Sequence, residues 1–327
     1  MSDLPGAYVN EVLELAGRWN VRPAEILRGL PVTAAQLADP NTRVPLRVCE
    51  AILARAHQLT HEPALALHVG TQMRLSSHGF LGFAAMTAKN VGEALDLAVR
   101  FAQTRTLAIG LALYVEGDTA SLVIEENAPL DGVREFVVLA LIVGIEQIGR
   151  ALTGRMLEGV GHCAFPEPEF IKALPHRAYL RFDQPNHRLV FPARELDIPL
   201  VTADPIATQL AREQCERELA ALVDAGLPGR VRAALTVRSE APALTVIARE
   251  LRMSPRTLKR KLADRGTTFS QIRDDMRRQR ALLLLDNRGL SIGEIATKLG
   301  YSELPNFTRA FRKWTGVTPI AYRERAR

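Results

Sequence analysis

Apolar residues recur at helical spacing through much of the N-terminal part of the chain, and short strand-like runs interrupt that pattern. Apolar positions that return every three or four residues predict helices at 8–20, 23–30, 45–58, 91–105, 134–152 and 205–225. The runs TLAIGLALYVEG and TASLVIEEN predict two strands, with Gly117-Asp118 between them as a hairpin turn. Further short strands are predicted near 159–165, 179–182 and 188–191. This mixture predicts an α+β fold, with helices around a small antiparallel sheet.

The C-terminal part is predicted to be all-α, and one pattern occurs in it twice. Residues 245–262 and 291–311 each contain an Ile-Ala pair, a leucine four residues after the isoleucine, a serine, and later apolar positions. The two Ile-Ala pairs are 48 residues apart. Each copy predicts a short helix, a tight turn and a second helix, which is a helix-turn-helix unit. Ser254 and Ser302 are expected to cap the second helices, and Pro255 suits the first helical position.

The segment between the two copies predicts one long helix at 269–286. Its residues Ile272, Met276, Leu283 and Leu284 are expected to pack on both units. A rigid connector of this kind fixes the distance between the two second helices. That geometry lets them enter successive major grooves on one face of DNA, about 34 Å apart.

Charge divides the chain into two parts. Residues 230–327 hold 22 Lys and Arg against 9 Asp and Glu, a net charge of +13, whereas residues 1–229 hold 20 against 27, a net charge of −7. The basic part suits a polyanionic partner. The Gly- and Pro-containing stretch DAGLPGR at 224–230 is the predicted linker, so the predicted domains are 1–225 and 226–327.

The cations of the first unit are expected on one side of its second helix. Arg256, Lys259 and Arg260 stand at i, i+3 and i+4, whereas Leu258 and Leu262 are expected to face inward. A major groove admits a helix, and Arg or Lys can hydrogen-bond to the N7 and O6 atoms of guanine there. The sequence therefore predicts that this helix reads DNA.

The second helix of the second unit is less basic near its start. Thr308 and Arg309 are expected to point outward while Phe307 and Phe311 point inward. Arg312 and Lys313, in the same helix, are placed for contact with DNA phosphates.

No catalytic, metal or cofactor motif is predicted. His57 and His61 stand four apart without a third ligand in the sequence nearby, GFLGF at 79–83 lacks the lysine of a phosphate-binding loop, and Glu125-Glu126 is expected at a solvated strand end. No run of 18 or more apolar residues and no signal peptide are found, so neither a membrane span nor export is predicted. Three widely separated cysteines, Cys49, Cys163 and Cys215, favour a reducing cytoplasm.

Residues 290–323, LSIGEIATKLGYSELPNFTRAFRKWTGVTPIAYR, resemble the C-terminal signature of the AraC/XylS family of bacterial transcription regulators. The resemblance covers about 240–323 and lies in A-x-x-x-G-[YF]-S, F-x-R-x-F and G-x-x-P-x-x-Y-R. By position, it implies that the base-reading residues are Arg256, Lys259 and Arg260 in the first unit and Leu304, Pro305, Thr308 and Arg309 in the second. Leu304 and Pro305 depart from a polar pattern and can offer only apolar contacts, such as one to a thymine methyl group.

The N-terminal part resembles the arabinose-binding-type domain found in one branch of that family. The resemblance is carried by residues 59–104 and extends more loosely over about 20–205. It implies a domain that senses a small-molecule effector, mediates homodimerisation, or does both. Members of this branch respond to varied small molecules, amino acids among them, so arabinose itself is not implied.

Together these patterns predict a cytoplasmic, sequence-specific regulator of transcription that binds promoter DNA and contacts RNA polymerase under effector control. Two alternatives remain open from the sequence. One is a thiol-based alkyl-transfer sensor enzyme with a DNA-targeting domain, which requires a reactive cysteine. The other is a non-specific architectural DNA-binding protein, which a competition between promoter and random DNA would distinguish from a specific regulator.

Overall fold

The structure is a computed structural model that describes residues 3–39, 42–221, 227–236, 243–286 and 289–325. The chain divides into two units, Met1–Asp224 and Ala225–Arg327, called here the N-terminal and C-terminal units.

Helices make up most of the N-terminal unit. Its described helices are α1 (Gly6–Ala16), α2 (Pro23–Ile26), α3 (Ala34–Leu37), α4 (Leu46–Thr60), α5 (Leu65–Thr71), α6 (Gly79–Thr87), α7 (Val91–Phe101), α8 (Arg134–Thr153) and α9 (Pro205–Ala221). The helix predicted at 23–30 is shorter than expected, because the chain turns after Ile26 and Gly29 takes a left-handed conformation with φ of +71°. Asn90 fixes the start of α7, since its side chain accepts a hydrogen bond from the Glu93 amide at 2.9 Å.

The strands are β1 (Asp3–Pro5), β2 (Arg43–Pro45), β3 (Ile109–Glu116), β4 (Thr119–Glu126), β5 (Val160–His162), β6 (Leu180–Arg181) and β7 (His187–Pro192). β1 and β2 form a small separate sheet, and the main sheet has the order β3-β4-β7-β5-β6. The predicted hairpin is confirmed, because Glu116 pairs with Thr119 across Gly117-Asp118. The predicted antiparallel sheet needs one correction. β5 and β6 run parallel, since a crossover with two 3-10 turns separates them.

Helix α8 is central to the N-terminal unit. Its backbone approaches α5 closely, and a Cβ atom on Gly70 of α5 would lie 2.8 Å from the carbonyl oxygen of Ala140. Among the described residues α8 is the one helix long and apolar enough to cross a membrane, although 39% of its most apolar stretch is buried inside the unit. Core helices of globular proteins share these properties, and α8 also carries charged residues such as Glu146 and Arg150.

The regular structure of the C-terminal unit consists of helices among its described residues, with short turns between them. Its helices are α10 (Leu227–Thr236), α11 (Leu244–Glu250), α12 (Pro255–Ala263), α13 (Phe269–Asp286), α14 (Ile292–Lys298), α15 (Leu304–Thr315) and α16 (Pro319–Arg325). The linker predicted at 224–230 is therefore wrong from Leu227 onward, where the first helix of the unit begins; residues 224–226 lie outside the described residues. Pro228 and Gly229 stand in the first turn of α10, where a proline is tolerated because the first helical N–H groups have no partner within the helix.

Two separate hydrophobic cores lie along α13. The first core contains residues of α10, α11 and α12 together with Phe269 and Ile272 from the start of α13. The second core contains residues of α14 and α15 together with Ala281, Leu282, Leu284 and Leu285 from the end of α13. Leu283, which was expected in a core, is only half-buried. At about 100° per residue its side chain points away from the face that these four neighbours share.

The turns after α11 and α14 have the same backbone structure. After α11, the amide of Met253 donates to the carbonyl of Ala248 at 2.8 Å; after α14, the amide of Tyr301 donates to the carbonyl of Ala296 at 2.9 Å. In each turn the preceding residue is left-handed, with φ of +55° at Arg252 and +77° at Gly300. The two turns are thus equivalent, although one places an arginine where glycine adopts the conformation at lower cost.

The helices that follow these turns begin differently. Ser254 caps α12 as predicted, since its hydroxyl accepts a hydrogen bond from the Thr257 amide at 3.1 Å. The predicted cap by Ser302 is wrong, because α15 begins at Leu304 and its N-cap is Glu303, which makes no side-chain cap hydrogen bond. With Ser302 as the cap, the amide at Pro305 would be the third of the helix, and proline has no N–H to donate.

Candidate nucleic-acid interface and ligand cavity

Helix α12 has one buried face and one cationic face. Leu258 and Leu262 are fully buried in the first core, whereas Arg256, Lys259 and Arg260 are exposed. None of the three cations forms an ion pair with a carboxylate among the described residues. The structure therefore brings together the three predicted side chains as a cationic surface that no acidic group within the described part of the unit neutralises.

Helix α15 also has a buried apolar face and an exposed face, and its exposed face combines apolar, polar and cationic side chains. Phe307 and Phe311 are fully buried in the second core. The predicted contact residues are exposed except for Thr308, which is half-buried; they are Leu304, Pro305, Thr308, Arg309, Arg312 and Lys313. Arg309 donates a hydrogen bond from Nη2 to Oδ1 of Asn306 at 2.6 Å. This bond holds the guanidinium of Arg309 along the start of the helix.

Aromatic side chains fix α15 in the second core. Phe311 lies at their centre, with ring centroids 5.7 Å from Phe307, 5.6 Å from Tyr322 and 6.5 Å from Trp314. The guanidinium of Arg277, on α13, lies 5.2 Å from the ring centroid of Tyr301 in the turn before α15. These contacts set the position of α15 against the end of α13.

The N-terminal unit contains a cavity of about 390 Å³. Its walls come from α1, α4, α6, α7, α8 and the main sheet, and most of the lining residues are aliphatic. Pockets for small molecules typically have this size and combine apolar walls with a few polar groups. The sequence pointed to no residue for an effector, because the lining residues come from segments that are far apart along the chain and most of them are ordinary aliphatic positions of amphipathic helices.

A polar cluster of Tyr8, His78 and Arg105 belongs to the cavity lining. The Tyr8 hydroxyl and His78 Nδ1 are 2.6 Å apart. Burial lowers the pKa of His78 to about 4, with the charge of Arg105 adding to the effect, so the imidazole is neutral near pH 7. Burial also raises the pKa of Tyr8, although Arg105 opposes that shift through its charge and a hydrogen bond. Tyr8 is therefore protonated.

The three thiols lie in protein interiors without the features of reactive cysteines. Burial raises the pKa of Cys49 and of Cys163 to about 12 and that of Cys215 to about 11. A thiol-transfer reaction requires a thiolate, which forms at neutral pH only when the pKa is lowered. The environments of these cysteines thus argue against the alkyl-transfer alternative.

The candidate metal, carboxylate and phosphate-binding residues have contacts that fit a structural role. The described residues contain no cluster of three or more His, Cys, Asp or Glu residues that could hold a metal ion. Glu126 lies at the end of β4, where a solvated strand end was expected, and it pairs with Arg134 at 2.9 Å and with His187 at 3.2 Å. The segment GFLGF forms the first five residues of α6, so its glycines belong to a helix rather than to a phosphate-binding loop.

Two known families match the two parts of the chain. Residues 21–200 match the arabinose-binding domain at the N-terminus of AraC transcription regulators. Residues 247–325 match a helix-turn-helix domain.

Relatives of similar length are named as regulators. The ornithine utilization regulator of Pseudomonas aeruginosa is 35% identical over 98% of this chain and 96% of its own length. The HTH-type transcriptional regulator VqsM of the same species is 29% identical over 79% of this chain and 82% of its own length. The solved structure of the transcriptional regulator CdpR from Pseudomonas aeruginosa aligns with 95% of this chain and 97% of its own, with 26% identity and a TM-score of 0.44.

Proposed function

The chain belongs to the AraC family of DNA-binding transcription regulators, with an effector-binding domain of the arabinose-binding type, and we propose that it reads its promoter through two helix-turn-helix units joined by α13. The first unit consists of α11 and α12, and the second consists of α14 and α15. Equivalent turns, each with a left-handed residue and the same hydrogen bond, are the observation that carries this proposal.

In the first unit, the cationic face of α12 enters the major groove. Arg256, Lys259 and Arg260 act as base-reading residues, because exposed Arg and Lys side chains on a helix can reach N7 and O6 of guanine. The burial of Leu258 and Leu262 supports this role, since it leaves only the opposite face of α12 for DNA.

In the second unit, α15 reads a neighbouring groove with fewer charges. Thr308 and Arg309 make polar contacts with bases, while Leu304 and Pro305 contact a thymine methyl group. Arg312 and Lys313 contact phosphates, which orient the helix without reading sequence.

We propose that residues 1–225 bind a small-molecule effector and mediate dimerisation, and that residues 226–327 bind DNA. Effector binding shifts the population towards a state that binds the promoter or contacts RNA polymerase. The name of one relative refers to ornithine utilization, which makes an amino-acid-like effector one case to test. The regulatory names of the relatives favour a non-enzymatic protein that acts on DNA in the cytoplasm.

The assigned roles predict different losses on specific and random DNA. Arg256→Ala and Arg260→Ala should each lose about 1–3 kcal/mol of discrimination at particular base pairs, because each removes contacts to base edges. Lys313→Ala, the matched control in the second unit, should weaken binding to every sequence similarly and reduce the salt slope of log K by about 1. Fluorescence titrations of the full chain on promoter and random duplexes at several salt concentrations measure both effects. Equal losses on both duplexes for Arg256→Ala and Arg260→Ala would show that these residues contact only the backbone.

A further inference from the structure

The cavity of the N-terminal unit has apolar walls, and carboxylates in its lining have partners of their own. Glu158 pairs with Arg194 at 2.7 Å, Glu195 pairs with Arg155 at 3.4 Å, and Glu11 accepts a hydrogen bond from Ser77. Burial raises the pKa of Glu146, which favours its neutral form. Two of the four carboxylates in the lining are thus neutralised by arginines, one accepts a hydroxyl hydrogen bond, and one is shifted towards its neutral form.

The positive charge of the lining, carried by Arg105, is not paired with a carboxylate among the described residues. The Nε atom of Arg105 is also buried without a hydrogen-bond partner there. Moving a guanidinium out of water without a counter-ion is costly, and an anion in the cavity would remove that cost. Gly79 leaves space for this side chain, because a Cβ atom there would lie 2.8 Å from Nη1 of Arg105.

A second donor beside Arg105 also lacks an acceptor. Arg105 interacts with the Tyr8 oxygen, which favours the tautomer in which Tyr8 donates its proton to Nδ1 of His78. The neutral imidazole then carries its proton on Nε2, which is buried and has no partner among the described residues. The cluster thus ends in two N–H groups, one on Arg105 and one on His78, that an oxyanion could satisfy.

We propose that the cavity binds a carboxylate with an apolar body, whose oxygens accept hydrogen bonds from Arg105 and His78. This inference rests on the proposal that the N-terminal unit binds the regulatory effector. The aliphatic walls contact the body of the ligand, and the size of the cavity suits a small molecule. Glu195 pairs with Arg155 through Oε1, but its Oε2 is buried without a partner among the described residues and is a candidate acceptor for a second, cationic end of the ligand.

Calorimetric titration of the full-length protein with octanoate tests this proposal. Wild-type protein should bind octanoate more tightly than the neutral octan-1-ol. Arg105→Met should weaken octanoate binding by about tenfold to a hundredfold, because charge-assisted hydrogen bonds are lost, and should leave the affinity for octan-1-ol unchanged. Arg105→Lys should retain part of the preference for octanoate. Arg47→Gln, at an exposed position of α4 outside the lining, is the matched control and should bind as wild type does.

Two further measurements separate this role from a structural one and from the regulatory proposal. Without ligand, Arg105→Met should melt at the wild-type temperature or higher, since it removes an uncompensated cation; a large drop would assign Arg105 to folding and overturn the proposal. Titration with 8-aminooctanoate shows whether an added ammonium group strengthens binding. The proposal fails if neither carboxylate binds, or if octan-1-ol binds as tightly as octanoate. If octanoate binds through Arg105 but leaves DNA affinity unchanged, the ligand site stands and its regulatory role fails.

Discussion

Replacing Phe311 by alanine is expected to destabilise the second core by about 3–5 kcal/mol, the range found when a buried phenylalanine is truncated. Phe311 is fully buried and contacts the rings of Phe307, Trp314 and Tyr322. Its removal leaves a cavity between α15 and α16 and releases α15 from its fixed position. We therefore also expect DNA binding through the second unit to be lost at temperatures where the first unit remains folded.

Urea unfolding followed by tryptophan fluorescence measures this effect. The chain has two tryptophans, and Trp314 reports on the second core once Trp19 is replaced by phenylalanine. Leu304→Ala is the matched control on the same helix. Leu304 is 43% exposed, so the substitution should change the free energy of unfolding by less than about 0.5 kcal/mol. If both variants unfold at the same urea concentration, Phe311 does not have the central packing role described for it.

Local sequence patterns predicted those elements whose cause is itself local. The hairpin at Gly117-Asp118, the helix at 269–286 and the cap at Ser254 each depend on residues within a few positions of one another. The Ser302 cap was predicted by analogy with Ser254. It was wrong because the missing N–H of Pro305 changes where the helix can begin. Here a single residue type outweighed the pattern that the two units share.

Features that depend on tertiary packing could not be predicted in this way. Strands of two or three residues, such as β1 and β6, are too short for an alternating pattern. The cavity cluster joins Tyr8 from α1, His78 from a 3-10 turn and Arg105 from the segment after α7. Nothing in the sequence near any of these residues indicates the other two. The parallel pairing of β5 and β6 likewise depends on the path of the chain between them.

The proposal that α12 and α15 bind two successive major grooves depends on the length and anchoring of α13. Its 18 residues extend about 27 Å at 1.5 Å per residue, and each end is fixed in a separate core. We propose that α13, anchored in this way, keeps α12 and α15 at a constant separation. Two major grooves face the same side of DNA only when they are about 10–10.5 bp apart. One monomer should therefore require this spacing between its two sub-sites.

Inserting about 5 bp between the sub-sites should rotate the second groove to the opposite side of the duplex. The contacts of α15 are then lost together, and we expect affinity to fall by about a hundredfold, or roughly 3 kcal/mol, from one base-reading arginine and two phosphate contacts. The first unit should carry most of the remaining affinity through Arg256, Lys259 and Arg260. An insertion of a full turn should weaken binding as well, because α13 cannot lengthen.

Fluorescence titration of wild-type protein and Arg309→Ala on the native and the 5-bp-inserted site tests this arrangement most directly. On the native site, the substitution should weaken binding by about tenfold or more, as expected for the loss of a base-contacting arginine. On the inserted site, where α15 no longer reaches its groove, the substitution should change affinity by less than about twofold. If Arg309→Ala weakens binding equally on both sites, the two units dock independently and α13 does not set their spacing.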